Sequence, residues 1–563
     1  MSDLQAEVRP GAYYDSVVLM QLQKGLAALP GVVDAGVVMA TDANKELLAA
    51  MGLLPDHIQA KADDLLIVVQ GKSEKAARAA LAQVNELLQQ RRGGAVQTFR
   101  PKSLHTAVTQ LPSAQFTLIS VPGRYAAAVA EDALNLGQHV FLYSDNMPLA
   151  DEIRLKQLAR AKGLLLMGPD CGTAVINGIG LGFANRVRRG RIGIVAASGT
   201  GLQAVTTEIH NLGGGISQAI GVGGRDLKAE VGGITTWQAL DLLQRDEETA
   251  VIVLISKPPA DDVAATLLRA AQSGDKPVII NFIGYAPPGR RLGNLFFTSG
   301  LVDAAEHAVR LSGEVVALVE KRRPLSGYLR ALFSGGTLAY EMLLGLQAVL
   351  TPLYSNIPIR PHQQLPDLMQ SKGHTVLDLG EDAFTQGRLH PMMDNDLRLR
   401  RLRQETADPD VDMIVLDVVL GEGAHPDPAA ELAPAIAEAA RADKRVAAIV
   451  VGTELDPQDL NAQIERLAAA GAHIFPNVSE TLDYVYNRLP PPARDFLPVS
   501  LAAFTGEGVT AVNVGLESFY DSVVGQGGGA GNARAVQVDW RPPAGGNEQL
   551  MAILAKMKSH PGE

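Results

Sequence analysis

The sequence predicts an α/β protein: two parallel-sheet modules in tandem, preceded by a small α+β layer. Three observations predict it. From Ala114 onward, short apolar runs alternate with helical patterns across short loops, the sign of parallel strands joined by crossover helices. The runs are rich in β-branched residues and nearly unbroken, as in Ile192-Gly-Ile-Val195, which fits strands covered on both faces. Small-residue turns follow strand ends at Ser198, Ser334 and Gly421, and ligands of open parallel sheets bind beyond such ends.

Residues 13–92 read as a self-contained layer, with helices at 15–29, 44–51 and 73–90 and strands at 31–39 and 64–70. No catalytic constellation is visible in it. Residues 92–112 read as a linker broken by Arg91-Arg-Gly-Gly94, Pro101 and Pro112, so the first domain with its linker is set at 1–112. The first large module, 113–323, has strands at 116–121, 140–143, 164–167, 192–197, 218–222, 250–256 and 277–283. Helices are expected at 124–136, 149–162 and directly after Ser198. The second module, 324–490, has strands at 330–333, 375–379, 412–418, 446–451 and 473–475. Its helices are expected at 338–350, at 397–404 and after Asp427 through Ala440. Pro490-Pro-Pro492 marks a rigid linker into a Gly-rich tail, 491–563.

Composition excludes several classes. The chain has 563 residues and a net charge of −11 without basic clusters, which argues against nucleic acid or an anionic membrane as main partner. Cys171 is the single cysteine, so no internal disulfide framework exists, and no Cys/His cluster has zinc-like spacing; no metal is expected. The start of the chain lacks an apolar signal core and no long apolar run occurs, so a cytoplasmic location is expected.

Ser198, Gly199 and Thr200 either bind an anion on a helix N-terminus or form an ordinary strand-to-helix turn. Gly421 and Gly423 form either a second helix N-terminus or a surface loop, and His425 beside them either meets an oxyanion or caps the loop. Gly168, Pro169, Asp170 and Cys171 form a strand end that lines a ligand or simply packs; a buried inert thiol is the commoner fate of such a cysteine. Arg388, His390 and Asp394 lie on a Pro-containing loop, polar site or solvated surface. Trp237 and Trp540 read as packing residues.

From about 116 to 480 the chain resembles the succinyl-CoA synthetase superfamily, and more narrowly the FdrA family. The resemblance rests on Val121-Pro-Gly123, Met147-Pro148, Gly168-Pro-Asp-Cys-Gly-Thr173, Gly193–Thr200 and Gly221-Val-Gly-Gly224 in the first module. In the second it rests on Ser334-Gly-Gly-Thr337, Leu377-Asp-Leu-Gly380 and Leu416–Gly423. It implies tandem Rossmann-like or flavodoxin-like modules, one like the ligase α-subunit and one like the carboxy-terminal part of the β-subunit. It assigns Val121, Pro122, Gly168, Pro169, Asp170, Cys171, Gly223, Gly224, Ser334, Gly335, Gly336 and Thr337 to cofactor or ligand contacts. It implies that the helices after Ser198 and Gly421 face each other across a phosphoryl group.

The departures from that pattern carry weight. The superfamily's phosphate-carrying histidine lies in Arg-x-Gly-His, where this chain has Arg291-Leu-Gly-Asn294. An amide has no usable nucleophilic nitrogen. Lys257 stands where the supporting glutamate is expected, and would act as a cation near phosphate. The Gly-rich CoA loop after a first strand is missing, and residues 1–112 are too few for an ATP-grasp domain. The FdrA resemblance therefore implies a subunit of an oxamate carbamoyltransferase-type enzyme of anaerobic allantoin breakdown, interconverting oxalurate plus phosphate with oxamate plus carbamoyl phosphate. Phosphate or an acyl phosphate is the expected ligand, with CoA left open. The expected partners are small-molecule substrates, subunits encoded beside it, or a second copy. An acyl-CoA synthetase subunit, or a non-catalytic scaffold on the same fold, are the competing readings. Residues 511–519 and 539–546 resemble the start of a partner subunit.

Overall fold

A computed structural model describes residues 3–10, 16–55, 58–61, 64–89, 100–287, 289–313, 323–527 and 532–543. The breakers at 91–94 and the end of the tail motif at 544–546 lie outside them. The chain forms two compact units, Met1–Pro148 with Val509–Glu563, and Leu149–Gly508.

The first unit opens with β1 (Asp3–Arg9), α1 (Ser16–Ala27), β2 (Val32–Met39), α2 (Asp42–Ala50), β3 (Leu65–Gly71), α3 (Glu74–Ala82) and α4 (Val84–Gln89). Its antiparallel sheet runs β1-β3-β2, and β1 is an edge strand that the sequence pattern did not expose. Leu65, Ile67 and Val69 of the central strand pack on Leu22 and Leu26, while Leu66 and Val68 pack on the other face with Leu48 and Leu53. The expected linker contains a helix, α5 (Leu104–Gln110), begun by Ser103, whose hydroxyl accepts from Thr106 N–H. Then come β4 (Phe116–Ile119), α6 (Gly123–Asn135) and β5 (His139–Leu142).

The second unit holds both large sheets. Its first half runs α7 (Leu149–Lys162), β6 (Leu166–Met167), β7 (Thr173–Ile176), β8 (Ile179–Gly182), β9 (Arg189–Ala196), α8 (Gly199–Asn211), β10 (Ile216–Gly221), α9 (Ile234–Arg245), β11 (Val251–Ser256), α10 (Asp261–Gln272), β12 (Val278–Phe282), β13 (Arg291–Leu292), β14 (Leu295–Phe297) and α11 (Leu301–Gly313). The sheet order is β13-β14-β12-β11-β9-β10-β7-β8, parallel through its centre and antiparallel at both edges. The edge hairpin β7–β8 is absent from the sequence reading. Ile192, Ile194, Val253 and Ile255 pack under Leu202, Val205 and Ile209 of α8.

The second half runs β15 (Tyr328–Phe333), α12 (Gly336–Leu346), β16 (Leu353–Ser355), β17 (His374–Asp378), α13 (Asp382–Thr385), α14 (Asp396–Ala407), β18 (Val411–Val419), α15 (Pro428–Arg441), β19 (Arg445–Val451), α16 (Leu460–Ala469), β20 (Ala472–Phe475) and α17 (Val478–Tyr486). Its sheet, β16-β17-β15-β18-β19-β20, is parallel throughout. Gly293 N–H donates to Asp483 Oδ1 at 2.7 Å, and Gln272 donates to the Tyr486 carbonyl, joining the two halves through α10, the β13–β14 turn and α17.

The tail returns to the first unit. β21 (Val509–Val514), α18 (Glu517–Gln526) and β22 (Ala533–Val538) form a right-sized strand–helix–strand. β21 pairs in parallel with β22 on one side and with β4 on the other, and β4 pairs with β5. The sheet that starts one unit late in sequence is thus supplied with a first strand, Gly turn and helix by residues 509–526. Residues 511–519, which the sequence reading likens to the start of a partner subunit, fold into the chain's own β21 and the start of α18. The Gly515 backbone has a positive φ, and a Cβ there would meet Ser120 at 2.4 Å. Ser120 Oγ accepts from Leu516 N–H at 2.7 Å, tying the two strand ends.

Candidate functional site

The first-half sheet places Ser198, Gly223 and Lys257 side by side. Ala196 pairs with Gly221 on β10 and with Ile255 on β11, so the chain leaves three adjacent parallel strands at one level. From β9 the chain crosses to β10 on one side, and then to β11 on the other. This reversal is the topological switch point where open α/β sheets bind ligands. Ser198 is the N-cap of α8, and its Oγ accepts from Gly201 N–H at 3.2 Å. Gly201 must lack a side chain, because a Cβ would lie 2.7 Å from that oxygen. The next residues, Gly199 and Thr200, are exposed and open the helix toward solvent. Lys257 is exposed at the end of β11.

The 168–173 loop closes one side. A Cβ on Gly221 would meet the Thr173 carbonyl at 2.4 Å and Cys171 Sγ at 2.7 Å, and one on Gly223 would meet the Pro169 carbonyl at 2.3 Å. The two glycines are there to let two backbones touch. Asp170, with positive φ, projects to the surface near Gly224. Cys171 is buried, its thiol donating toward the Thr173 and Gly221 carbonyls. Burial pushes that thiol up to about 12, so it lines the site as an inert apolar group.

A buried charge network, missed in the sequence, fixes the Gly223–Asp226 loop. Lys156, Glu152 and Asp226 are fully buried. Lys156 Nζ lies 3.0 Å from Glu152 Oε1 and 2.6 Å from Asp226 Oδ1, and it donates to the Val222 carbonyl. Arg225 pairs with Glu152 at 2.8 Å, and Asp226 Oδ2 accepts from Thr236 N–H and Oγ1–H. In sequence, Glu152 and Lys156 look like a surface pair four residues apart on a helix.

Asn294 does not face this site. It sits 9 % exposed in the β13–β14 turn, and its amide donates to the carbonyls of Ala271, Gly274 and Lys276. It satisfies carbonyls left open at the end of α10, a structural task.

In the second half the Gly421 turn takes the loop reading. That turn does not start a helix: α15 begins at Pro428, with Asp427 as N-cap accepting from Ala430 N–H. Gln463 Oε1 takes Ala429 N–H, and proline supplies no donor, so this N-terminus is closed. Gly421 and Gly423 take positive φ in a loop, and Gln458 bonds both the N–H and the carbonyl of Gly421. His425 caps that loop: Nδ1 accepts from Asp427 N–H and Nε2 lies 3.3 Å from Glu431. Of the two readings of Gly421 and Gly423, a helix N-terminus or a surface loop, the structure takes the loop, and α15 starts after Asp427 as the sequence reading sets it.

An open helix start in this half lies at Ser334–Thr337, where α12 begins. Ser334 N–H and Oγ–H donate to Asp417, which Arg398 also meets. Gly335 caps α12 without a side chain. Arg388 and Asp394 are placed around a cavity of about 300 Å³ with Phe384, Thr385 and Arg400. Val121 and Pro122 belong to the first unit, at the carboxyl end of β4, where Pro122 precedes α6. Trp237 packs on Phe496 and Trp540 on Tyr125, as the sequence predicts. Among the described residues no His/Cys/Asp/Glu group could hold a metal, and no helix is long and apolar enough to cross a membrane.

Three domain families match: "AllF, heavy metal-associated domain" over residues 1–101, "CoA binding domain" over 187–284 and "CoA-ligase" over 332–485. The uncharacterized protein YahF of Escherichia coli (strain K12) is 42% identical over 497 residues, covering 84% of this chain and 96% of YahF. The chain belongs to the YahF family. With its CoA-binding and CoA-ligase domains, it is succinyl-CoA synthetase-like. Subunit alpha 1 of the succinate–CoA ligase (ADP-forming) of Archaeoglobus fulgidus is 28% identical over 216 residues, 36% of this chain and 72% of that subunit. The apo dinucleotide forming acetyl-coenzyme A synthetase 1 of Ca. Korarchaeum cryptofilum covers 66% of this chain and 82% of its own at 17% identity and TM-score 0.27, too distant to carry positions across. The heavy-metal name does not fit the residues present. Residues 1–101 contain no cysteine, so the thiolates that select soft metals are absent.

Proposed function

We propose that this chain is a transferase subunit that uses a ready-made acyl phosphate, of the oxamate carbamoyltransferase type. The observation that carries it is Asn294: the position that the resemblance assigns to the phosphate carrier holds a buried amide bound to three carbonyls. The opening of α8 and the neighbouring Lys257 offer what a preformed phosphate needs, backbone N–H groups and a cation at one sheet edge. In oxalurate phosphorolysis the carbamoyl carbon exchanges its bond to the oxamate nitrogen for one to a phosphate oxygen, and the nitrogen takes the proton. Such a step leans on positioning and charge stabilisation more than on a nucleophile. Thr200 and Gly199 would hold the phosphate and Lys257 would balance its charge. The FdrA resemblance supplies the carbamoyl substrate.

The second reading, an acyl-CoA synthetase subunit whose carrier and ATP-binding domain come from another chain, is favoured by the match to succinate–CoA ligase α-subunits. Incubation with labelled ATP, or with succinyl-CoA and labelled phosphate, separates the two. With the proteins encoded beside it present, the transferase reading expects no phosphoprotein; acid-labile label on this chain or on a partner chain refutes it.

A further inference from the structure

The parallel sheet of the first unit has a switch point of its own. Its strands run in the order β22-β21-β4-β5. From β21 the chain crosses through α18 to β22 on one side, and from β4 through α6 to β5 on the other. Dinucleotides lie at such a reversal, with their pyrophosphate on the glycine-rich turn after the first strand. CoA is the cofactor that the resemblance implies for this place, where it gives Val121 and Pro122 to ligand contacts.

Residues 514–520 hold the position of that turn, and they do not fit a pyrophosphate. The fingerprint of such turns is Gly-x-Gly-x-x-Gly. The first glycine makes the turn, the second lets the phosphates approach the backbone, and the third lets helix and strand touch. Here the three places hold Gly515, Glu517 and Tyr520. Only the first is kept, with its positive φ. Glu517 is exposed in the first turn of α18 and sets a carboxylate where the phosphates would come. A carboxylate there repels them and offsets the attraction of the helix dipole. Arg100, a cation at this edge, is ion-paired with Glu517. The hydrogen bond with Glu517 holds its guanidinium above the usual range, and the charges of Glu517 and Asp539 add to this.

The backbone of the turn is already bonded. Leu516 N–H donates to Ser120 Oγ at 2.7 Å, and the Leu516 carbonyl accepts from Asn513 Nδ2 at 2.7 Å. The Gly515 carbonyl accepts from Gln537 Nε2 at 3.1 Å. Asn513 and Gln537 are buried, so both amides brace the turn from within the sheet. On the β4 side Val121 is buried, and a Cβ on Gly123 would run into the Asp145 carbonyl, so backbone fills the space there. Trp540, after β22, packs on Tyr125 of α6 with ring centroids 5.6 Å apart, which joins elements from both sides of β21.

We propose that this switch point is closed to CoA: the tail supplies the missing first strand and plugs the pyrophosphate position with its own side chains. Its task there is to complete the sheet, and the first unit holds no CoA thioester for the rest of the chain. The inference rests on the turn itself and not on the carbamoyl reading.

The test is hydrogen exchange read by mass spectrometry on the full chain, with and without CoA at about 1 mM, which fills any site of micromolar affinity. Amides of 514–520 and 120–126 are expected to exchange alike in both samples. Ser120→Ala should speed exchange of the Leu516 amide about five-fold, as for the loss of one hydrogen bond, still with no response to CoA. Circular dichroism confirms that the variant folds. Slower exchange of either segment with CoA, or an unchanged Leu516 amide in Ser120→Ala, overturns the proposal. Phosphate release from carbamoyl phosphate is a separate readout, so this proposal and the transferase reading can fail independently.

Discussion

Removing the tail should unfold the parallel sheet of the first unit. A chain ending at residue 508 loses β21, which lies between β22 and β4, and exposes the whole hydrogen-bonding edge of β4. The lost segment buries Val509, Ala511, Val512, Val514, Leu516, Phe519, Val523 and Val538. At about 1.5–3 kcal/mol for each of the seven larger side chains, the loss is roughly 10 kcal/mol or more. A domain's whole stability is about 5–15 kcal/mol. Ser120 and Gly515 would also lose their mutual contact. Hydrogen exchange read by mass spectrometry is the assay. Amides of 116–119 should exchange slowly in the full chain and about as fast as an unfolded peptide in the truncated one. Equal protection in both chains would refute the reasoning, because it would mean that β4 does not need β21.

Three further outcomes are expected. Lys156→Ala leaves Glu152 and Asp226 buried and close together, and should cost about 3–5 kcal/mol in urea unfolding; a loss below about 1 kcal/mol would show that water or Arg225 replaces the ammonium. Cys171, with its thiol pushed up to about 12 by burial, should resist an alkylating reagent at neutral pH in the native chain and react once unfolded; rapid native labelling would contradict its burial. Burial lowers His139 to about 4, and burial with Arg330 and Arg269 lowers His374 to about 4. The unfolded chain then binds more protons than the folded one between those values and the ordinary histidine range. Stability is therefore complete above about pH 6.5 and falls toward pH 4, by about 3 kcal/mol for His139. Protonation of His374 would also break its acceptance of Leu329 N–H at Nδ1. Urea midpoints that stay flat across this range would contradict the assignment.

The parallel sheets were legible because their strands are short β-branched runs buried on both faces, a pattern that few other structures need. The Ser198 turn was legible because its cap and its glycines are adjacent in sequence. What escaped depends on distance or on look-alike signals. β21 meets β4 across almost the whole chain, as the Ser120–Leu516 bond shows, and strand propensity says nothing of which strand is the neighbour. The glycines at 421 and 423 mimic a helix start, so sequence alone left helix start and loop open there, while the helix after Asp427 was legible because a side-chain cap and a preset φ coincide. Glu152 and Lys156 have surface spacing, and only the approach of Asp226 from a distant loop buries them.

The central claim is that a preformed acyl phosphate, and not a phosphohistidine, supplies the reaction. The most direct measurement is phosphate release from carbamoyl phosphate in the presence of oxamate, made with the full chain alone and with the proteins encoded beside it. Oxamate-dependent release is expected in at least one combination, and it should drop about ten-fold or more in Lys257→Ala, which removes the cation that the proposed function sets against the phosphate. No oxamate-dependent release in any combination would contradict the account.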